Sequence, residues 1–259
     1  MFIEERHQLI LDYLNSHGRI SANEMQDLFK VSFDTARRDL RILEGNGLLK
    51  RTHGGALPLR QVGLSPKPKG WTAHDMSEIK DNYLAIAMKA ISMIKKNDVI
   101  YITTASVGYI IAQNLPTDIH ITVVTNSIIN AEELRKHNNI TCIIAGGIVD
   151  DKGYCRDSFA IECIKKLRFD IAFITSSCIS ADFGLSIQTT NLGVIKAVLE
   201  SSKRIIGLFP TEKIGFESIV QICPVKDLDV LVVDWDAPEE ELKKFDELGV
   251  EVVVVEKED

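Results

Sequence analysis

Apolar residues in the first sixty positions recur at intervals of three and four, the spacing of helices that bury one face. Ile3, Ile10, Leu11 and Leu14 mark a first helix, which His17-Gly18 stops. Ser21 opens a second, with Glu24 three residues later. In that order the serine oxygen accepts an orphan amide and the glutamate carboxylate reaches back for another. Met25, Leu28 and Phe29 form its buried stripe. A tight turn at Lys30-Val31 follows, and Ser32 caps a third helix that runs to about Glu44. Phe33, Ala36, Leu40 and Leu43 share one face of this helix, and Asp34, Thr35, Arg37, Arg38 and Arg41 the other. Gly45-Asn46-Gly47 ends it, and LLKRTHGGALPL reads as two short strands around His53-Gly54-Gly55.

The pattern then changes twice. Residues 57–71 hold three prolines and two glycines with no surviving period, so 58–74 reads as an extended linker between units at 1–57 and 75–259. From about Asp75 a long amphipathic helix runs through Ile79, Leu84, Ile86, Ala87, Ala90 and Ile94. Beyond it, Val/Ile-rich runs at 99–103, 121–125, 141–145, 171–176, 204–209, 230–233 and 250–255 alternate with helical stretches that include 107–114, 128–137, 158–167 and 192–202. Continuous apolar strands separated by helices predict an α/β unit with a mostly parallel sheet covered on both faces.

Ligands of such sheets sit beyond the carboxyl ends of the strands. The loops there are rich in small hydroxyl, amide and glycine residues, which let amides and side-chain donors converge on an anion at the start of the next helix. The candidate effector residues are Thr103, Thr104, Ser106, Thr125, Asn126, Ser127, Gly146, Gly147 and Lys213.

Composition narrows the function classes. With 45 % hydrophobic and 26 % charged residues in 259, the chain is long and apolar enough for a real core. No apolar run approaches the roughly 20 residues of a bilayer crossing, and MFIEERHQ does not read as a signal peptide. Five Cys (142, 155, 163, 178 and 223) without a C-x-x-C pair point to free thiols in a cytoplasmic protein. The net charge is −7, yet residues 30–60 carry +4. A locally basic module binds nucleic acid whatever the rest of the chain carries, because screening confines the field to about 10 Å.

No phosphate-loop motif, G-x-G-x-x-G, metal-ligand spacing or triad is present, so no cofactor, metal or catalytic residue is expected. Glu212 and Asp182 show no evident partner for acid–base work. Cys178 reads as a buried inert thiol.

Two short helices, a turn and a third helix with a cationic outer face make a helix-turn-helix. Its outer face supplies donors for base edges and phosphates, and its apolar inner face fixes its angle. The two strands behind it read as a wing that carries Lys50, Arg51 and His53 toward the sugar-phosphate backbone. The expected contacts to a double-stranded DNA operator are Ser32, Asp34, Thr35, Arg37, Arg38, Arg41, Lys50, Arg51 and His53.

Arg6, followed by Ser32 and the run Thr35-Ala36-Arg37-Arg38-Asp39-Leu40, resembles the winged helix-turn-helix of the DeoR family of bacterial transcription regulators. ITVVTNS, IIAGG, LRFDIAFI and Lys213-x-Gly215 are similar to that family's sensor domain, itself like ribose-5-phosphate isomerase. The resemblance implies a repressor of a carbohydrate-metabolism operon, relieved by a phosphorylated sugar and assembled as a dimer or tetramer. It also implies that Asp39 partners an arginine within the chain.

The chain departs from the family pattern at Thr103–Val107, Asn191–Val194, Pro210–Glu212 and Asp157. Two alternatives therefore stay open: a DNA-binding oligomer with a decayed ligand pocket, and a sugar-phosphate enzyme with an appended DNA module.

Overall fold

In the computed structural model, which describes residues 2–17, 19–59, 81–188 and 192–257, the first unit is built from α1 (Ile3–His17), β1 (Ile20–Ser21), α2 (Ala22–Phe29), α3 (Phe33–Gly45), β2 (Leu49–Arg51) and β3 (Gly55–Pro58). The capping box forms as its residues require: Glu24 N donates to Ser21 Oγ at 3.0 Å, and Ser21 N to Glu24 Oε2 at 2.7 Å. Lys30 turns the chain in the left-handed conformation (φ 55°), and Ser32 Oγ accepts the Thr35 amide at 3.2 Å to start α3. Ile10, Leu14, Met25, Ala36, Leu40 and Leu43 close the core between the three helices.

The inner stripe is narrower than the spacing predicts. Phe33, Leu28 and Ile3 are exposed. Phe33 and Ile3 open their helices, and side chains there lean toward the N-terminus, past the end of the bundle. Leu28 lies off the line of Ala22, Met25 and Phe29 that meets the core.

The small sheet has the order β1-β3-β2 and is antiparallel throughout. Its β1 escaped sequence reading because two residues carry no period. Gly55 explains the pairing: a Cβ there would lie 2.0 Å from the Ile20 carbonyl oxygen, so only glycine lets β3 approach β1 this closely. β3 ends at Pro58, one residue inside the expected linker.

The second unit comprises α4 (Asp81–Ile91), β4 (Val99–Ile102), α5 (Ser106–Asn114), β5 (Ile121–Thr125), α6 (Ile128–Leu134), β6 (Ile140–Ile144), α7 (Ser158–Lys165), β7 (Ile171–Ile174), β8 (Cys178–Ser180), β9 (Gly184–Ile187), α8 (Gly193–Ser201), β10 (Ile205–Phe209), β11 (Val220–Cys223), β12 (Val230–Val233), α9 (Glu239–Glu247) and β13 (Glu251–Val254). Seven strands pair in parallel in the order β13-β12-β10-β7-β4-β5-β6. One apolar cluster, with Ile86, Ile110 and Phe173, fills the side covered by α4 and α5. The other, with Ile164, Val198 and Phe245, fills the side covered by α7, α8 and α9. The expected parallel sheet, buried on both faces, is therefore the architecture found.

Three features differ from the sequence reading. The helix expected from Asp75 is described only from Asp81, because residues 60–80, with most of the linker, lie outside the described residues. A second sheet, β11-β9-β8, is antiparallel and built from strands of three or four residues, too short for an alternation to register. α9 is so charged that only Leu242 and the fully buried Phe245 anchor it in the core.

Candidate functional site

α3 is held from behind by a charge as well as by apolar packing. The Asp39 carboxylate, only 1 % exposed, accepts Arg6 Nε at 2.6 Å and Arg6 Nη2 at 3.2 Å, and lies 3.2 Å from His7 Nε2. The bond to Asp39 raises the Arg6 pKa, outweighing the burial that works against it. Asp39 is thus the intramolecular partner of an arginine, which ties α3 to α1.

On the outer face Ser32, Asp34, Arg37, Arg38 and Arg41 are exposed and Thr35 is half-buried. Ser32 and Thr35 hydroxyls bond each other at 2.8 Å, so both also build the helix start. Arg37 stacks its guanidinium over the exposed Phe33 ring at 5.7 Å, a placement that stiffens a long side chain without consuming its donors. Among the described residues Arg37, Arg38 and Arg41 meet no carboxylate within ion-pair distance.

The wing cations are placed differently. Arg51 pairs with Glu44 of α3 at 3.5 Å, and its amide donates to the same carboxylate at 2.9 Å. His53 Nδ1 lies 3.8 Å from Glu239 Oε1 of the second unit. Lys50 Nζ reaches the loop at Gly215, 3.9 Å from where a Cβ would stand. The nine expected DNA contacts therefore divide into a helix face whose three arginines meet no acid and a wing whose Arg51 and His53 lie near carboxylates.

The effector candidates divide as well. A small recess beyond β4 and β5 is lined by Thr104, Ala105, Ser106, Tyr109, Ser127, Ile129, Asn130 and Tyr154. It opens at the start of α5, whose N-cap residue Ala105 supplies no side-chain acceptor; the Gly108 amide turns back to the Ala105 carbonyl at 2.8 Å, and no side chain caps the Ser106 and Val107 amides. Gly108 seats that helix: a Cβ there would lie 1.9 Å from the Thr103 carbonyl oxygen.

Thr104, Ser106 and Ser127 thus line the recess as a group, while other candidates serve the scaffold. Thr125 Oγ1 accepts Ser127 N at 3.3 Å and Asn130 Nδ2 at 3.4 Å, and Thr103 gives its carbonyl to Asn130 at 3.0 Å. Asn126, buried, accepts the Tyr101 hydroxyl at 2.8 Å and donates to the Cys155 carbonyl at 2.7 Å. Gly146 faces open space, and Gly147 is pressed against the Asp157 carboxylate. That carboxylate takes the Ile148 amide at 2.7 Å and the Ala160 amide at 3.1 Å, and these backbone bonds hold its pKa below the usual range.

Asn130 and Tyr154 escaped sequence reading. Asn130 sits three residues after the cap Ser127, a spacing legible in the chain. Tyr154 arrives through a loop that folds back to bridge Ser127, which no local pattern records.

At the carboxyl end of β10, the turn at Thr211–Lys213 joins a buried polar network. Asp234 accepts the Thr211 amide at 2.7 Å, the Asn82 amide group at 3.0 Å and the Asp236 amide at 3.1 Å, and also bonds the Thr211 hydroxyl. Glu212, 1 % exposed, accepts Asn82 Nδ2 at 3.2 Å and the Tyr83 hydroxyl. No local pattern shows a partner for Glu212; its partners come from α4, some 130 residues earlier. Lys213 donates to Thr175 Oγ1 at 3.2 Å, and burial pushes its amine down to about 8 against the opposing field of Glu212. Cys178 is buried beside Leu57 and Phe216, at a contact between the two units.

Among the described residues, no helix is long and apolar enough to cross a membrane, and no His/Cys/Asp/Glu cluster suits a metal ion.

Comparison with known proteins bears on both units. The model of the DeoR-like helix-turn-helix domain matches residues 6–62, and that of the DeoR C-terminal sensor domain matches 80–235. The chain is 30 % identical to the HTH-type transcriptional repressor GlcR of Bacillus subtilis over 100 % of this chain and 99 % of that one. It is 27 % identical to the HTH-type transcriptional regulator GolR of Listeria innocua, over 99 % and 100 %. It is 30 % identical to the L-fucose operon activator of Haemophilus influenzae, over 93 % and 95 %. Among solved structures, ribose 5-phosphate isomerase A of Neisseria gonorrhoeae aligns at 16 % identity over 52 % of this chain and 54 % of that one, with a TM-score of 0.38. With a helix-turn-helix followed by a parallel α/β sensor, and with both family models matched in that order, the chain belongs to the DeoR family of DNA-binding transcription regulators.

Proposed function

We propose that the protein is a sequence-specific repressor of a carbohydrate-metabolism operon, working in the cytoplasm as a dimer or tetramer. Residues 1–57 form the DNA module, 58–74 the linker and 75–259 the sensor. The observation that carries this reading is the outer face of α3, where three arginines stand exposed without an acid partner on a helix whose back is fixed by Asp39, Ala36, Leu40 and Leu43. Arg37 and Arg38 read base edges in the major groove, and Ser32, Thr35 and Arg41 hold the flanking phosphates. Arg38→Ala is expected to weaken specific binding by about 1–3 kcal/mol. Unchanged operator affinity in a gel-shift titration would sink this placement of the recognition helix.

The effector is a small anion of the sugar-phosphate class. Its charged group sits at the uncapped start of α5, among Thr104, Ser106 and Ser127, with Lys213 at the same sheet edge. Binding favours a subunit arrangement that cannot span paired half-sites, which couples the two equilibria. The protein is not an enzyme on this reading: Lys213 and the buried acids Glu212 and Asp234 at the sheet edge are engaged in bonds within the chain.

The narrowness of the recess, with Asp157 filling the start of α7, favours a second reading in which the pocket has decayed. Thermal-shift titration with sugar phosphates separates the two, since a site ligand raises stability by mass action. No shift with any of them leaves the second reading standing.

A further inference from the structure

The two units meet through charge of one arrangement. Arg19, just before β1, directs Nη1 to Asp236 Oδ2 at 3.3 Å, and it lies in the field of Glu212 and Asp234 behind it. That field and those of Asp236 and Glu24 outweigh the burial that opposes the charge, so Arg19 is held firmly protonated.

The wing turn lies on the same rim. A Cβ on Gly54 would stand 2.9 Å from Asp236 Oδ1, and His53 faces Glu239. Leu57, 1 % exposed, packs with Cys178 and Phe216 beneath. Arg37, Arg38 and Arg41 meet no such rim.

A wing of this kind serves DNA by touching its backbone. Any phosphate brought to His53 in this arrangement also nears Glu239, 3.8 Å from the ring, and the like charges repel it. We propose that the rim formed by Asp236 and Glu239, backed by Glu212 and Asp234, is an intramolecular seat that holds the wing away from DNA by Arg19 and the wing turn, and that full DNA affinity requires the wing to leave it. The seat is wired to the sensor edge: Thr211 holds Asp234, Asp234 holds the Asp236 amide, and Lys213 of the same turn faces Thr175. The inference rests on the DNA-binding reading above and adds to it a closed state of the wing.

Wing contacts are independent of sequence, so a random-sequence duplex suffices as the probe. In fluorescence-anisotropy titrations of the full chain, Arg19→Ala is expected to bind that duplex about fivefold tighter or more. Simple loss of a cation predicts the opposite sign. Equal or weaker binding by the variant, with the wild type binding, overturns the seat and spares the DNA-binding reading. Absence of binding by both proteins overturns the two together.

Because Arg19→Ala leaves buried carboxylates without their cation, a second variant keeps the test independent of folding. In Gly54→Cys/Asp236→Cys, oxidised glutathione should close a disulfide between the new thiols that lowers duplex affinity about tenfold, and a reductant should restore it. Failure to cross-link, or equal affinity in both redox states, contradicts the proposal.

Discussion

The recognition helix and the 211–213 turn treat charge in opposite ways. On α3 three arginines stand in solvent, and one acid of that helix, Asp39, is buried against Arg6 on its inner side. At the turn, Glu212 and Asp234 lie inside the protein and bond Asn82, Tyr83 and Thr211. An exposed, unpaired cation adds little to the fold and is free for a partner. A buried, satisfied acid fixes the fold and breaks it when its donors are removed. The difference marks which charges face another molecule and which hold this one together.

Five substitutions, the last read through a pH titration, probe that division. The largest effect belongs to Asp39→Ala, which strands the part-buried Arg6 guanidinium and is expected to cost about 3 kcal/mol in urea unfolding. Arg38→Ala should stay within about 0.5 kcal/mol in the same assay while losing DNA affinity. If the two variants unfold alike, the division between inner and outer charge is wrong.

Asn82→Ala removes the amide shared by Glu212 and Asp234, and the unfolding midpoint should report a loss of about 2 kcal/mol. Ser21→Ala removes the cap of α2, and about 1 kcal/mol should go with it, read from thermal unfolding. Ser21 is not among the expected DNA contacts, so its DNA affinity at a temperature where the variant is folded should match the wild type.

The last test is a pH dependence. Lys213 titrates near 8 in the folded chain, and near about 10.4 once unfolded. Between those values the unfolded state binds more protons, so the lysine's contribution to stability rises with pH from about 8 upward. Affinity for an anionic effector moves the other way, falling as Lys213 loses its proton. Lys213→Met should flatten both curves, and an unaltered profile in calorimetric titration would remove the lysine from the effector edge.

What the sequence disclosed follows the range of the interactions involved. The cap at Ser21, the turn at Lys30 and the arginine face of α3 are local, so their spacing alone reveals them. The parallel sheet is equally legible, because strands buried on both faces must be continuously apolar. Arg6–Asp39, Asn82–Glu212 and Arg19–Asp236 span 33, 130 and 217 residues, and no periodicity encodes such pairs. For the same reason the loop residues around Thr104 read as a set, while the internal roles of Thr125 and Asn126 do not. α9 and the short strands β8, β9 and β11 carry too few apolar positions to register.

The most direct measurement is a selection of genomic fragments by the full chain, run side by side with Arg37→Ala and Arg38→Ala forms that match its unfolding midpoint. The account predicts that the unsubstituted chain enriches a small set of fragments bearing repeated half-sites, and that each arginine substitution erases the preference. Enrichment that survives both substitutions, or a chain that retains every fragment equally, would contradict it.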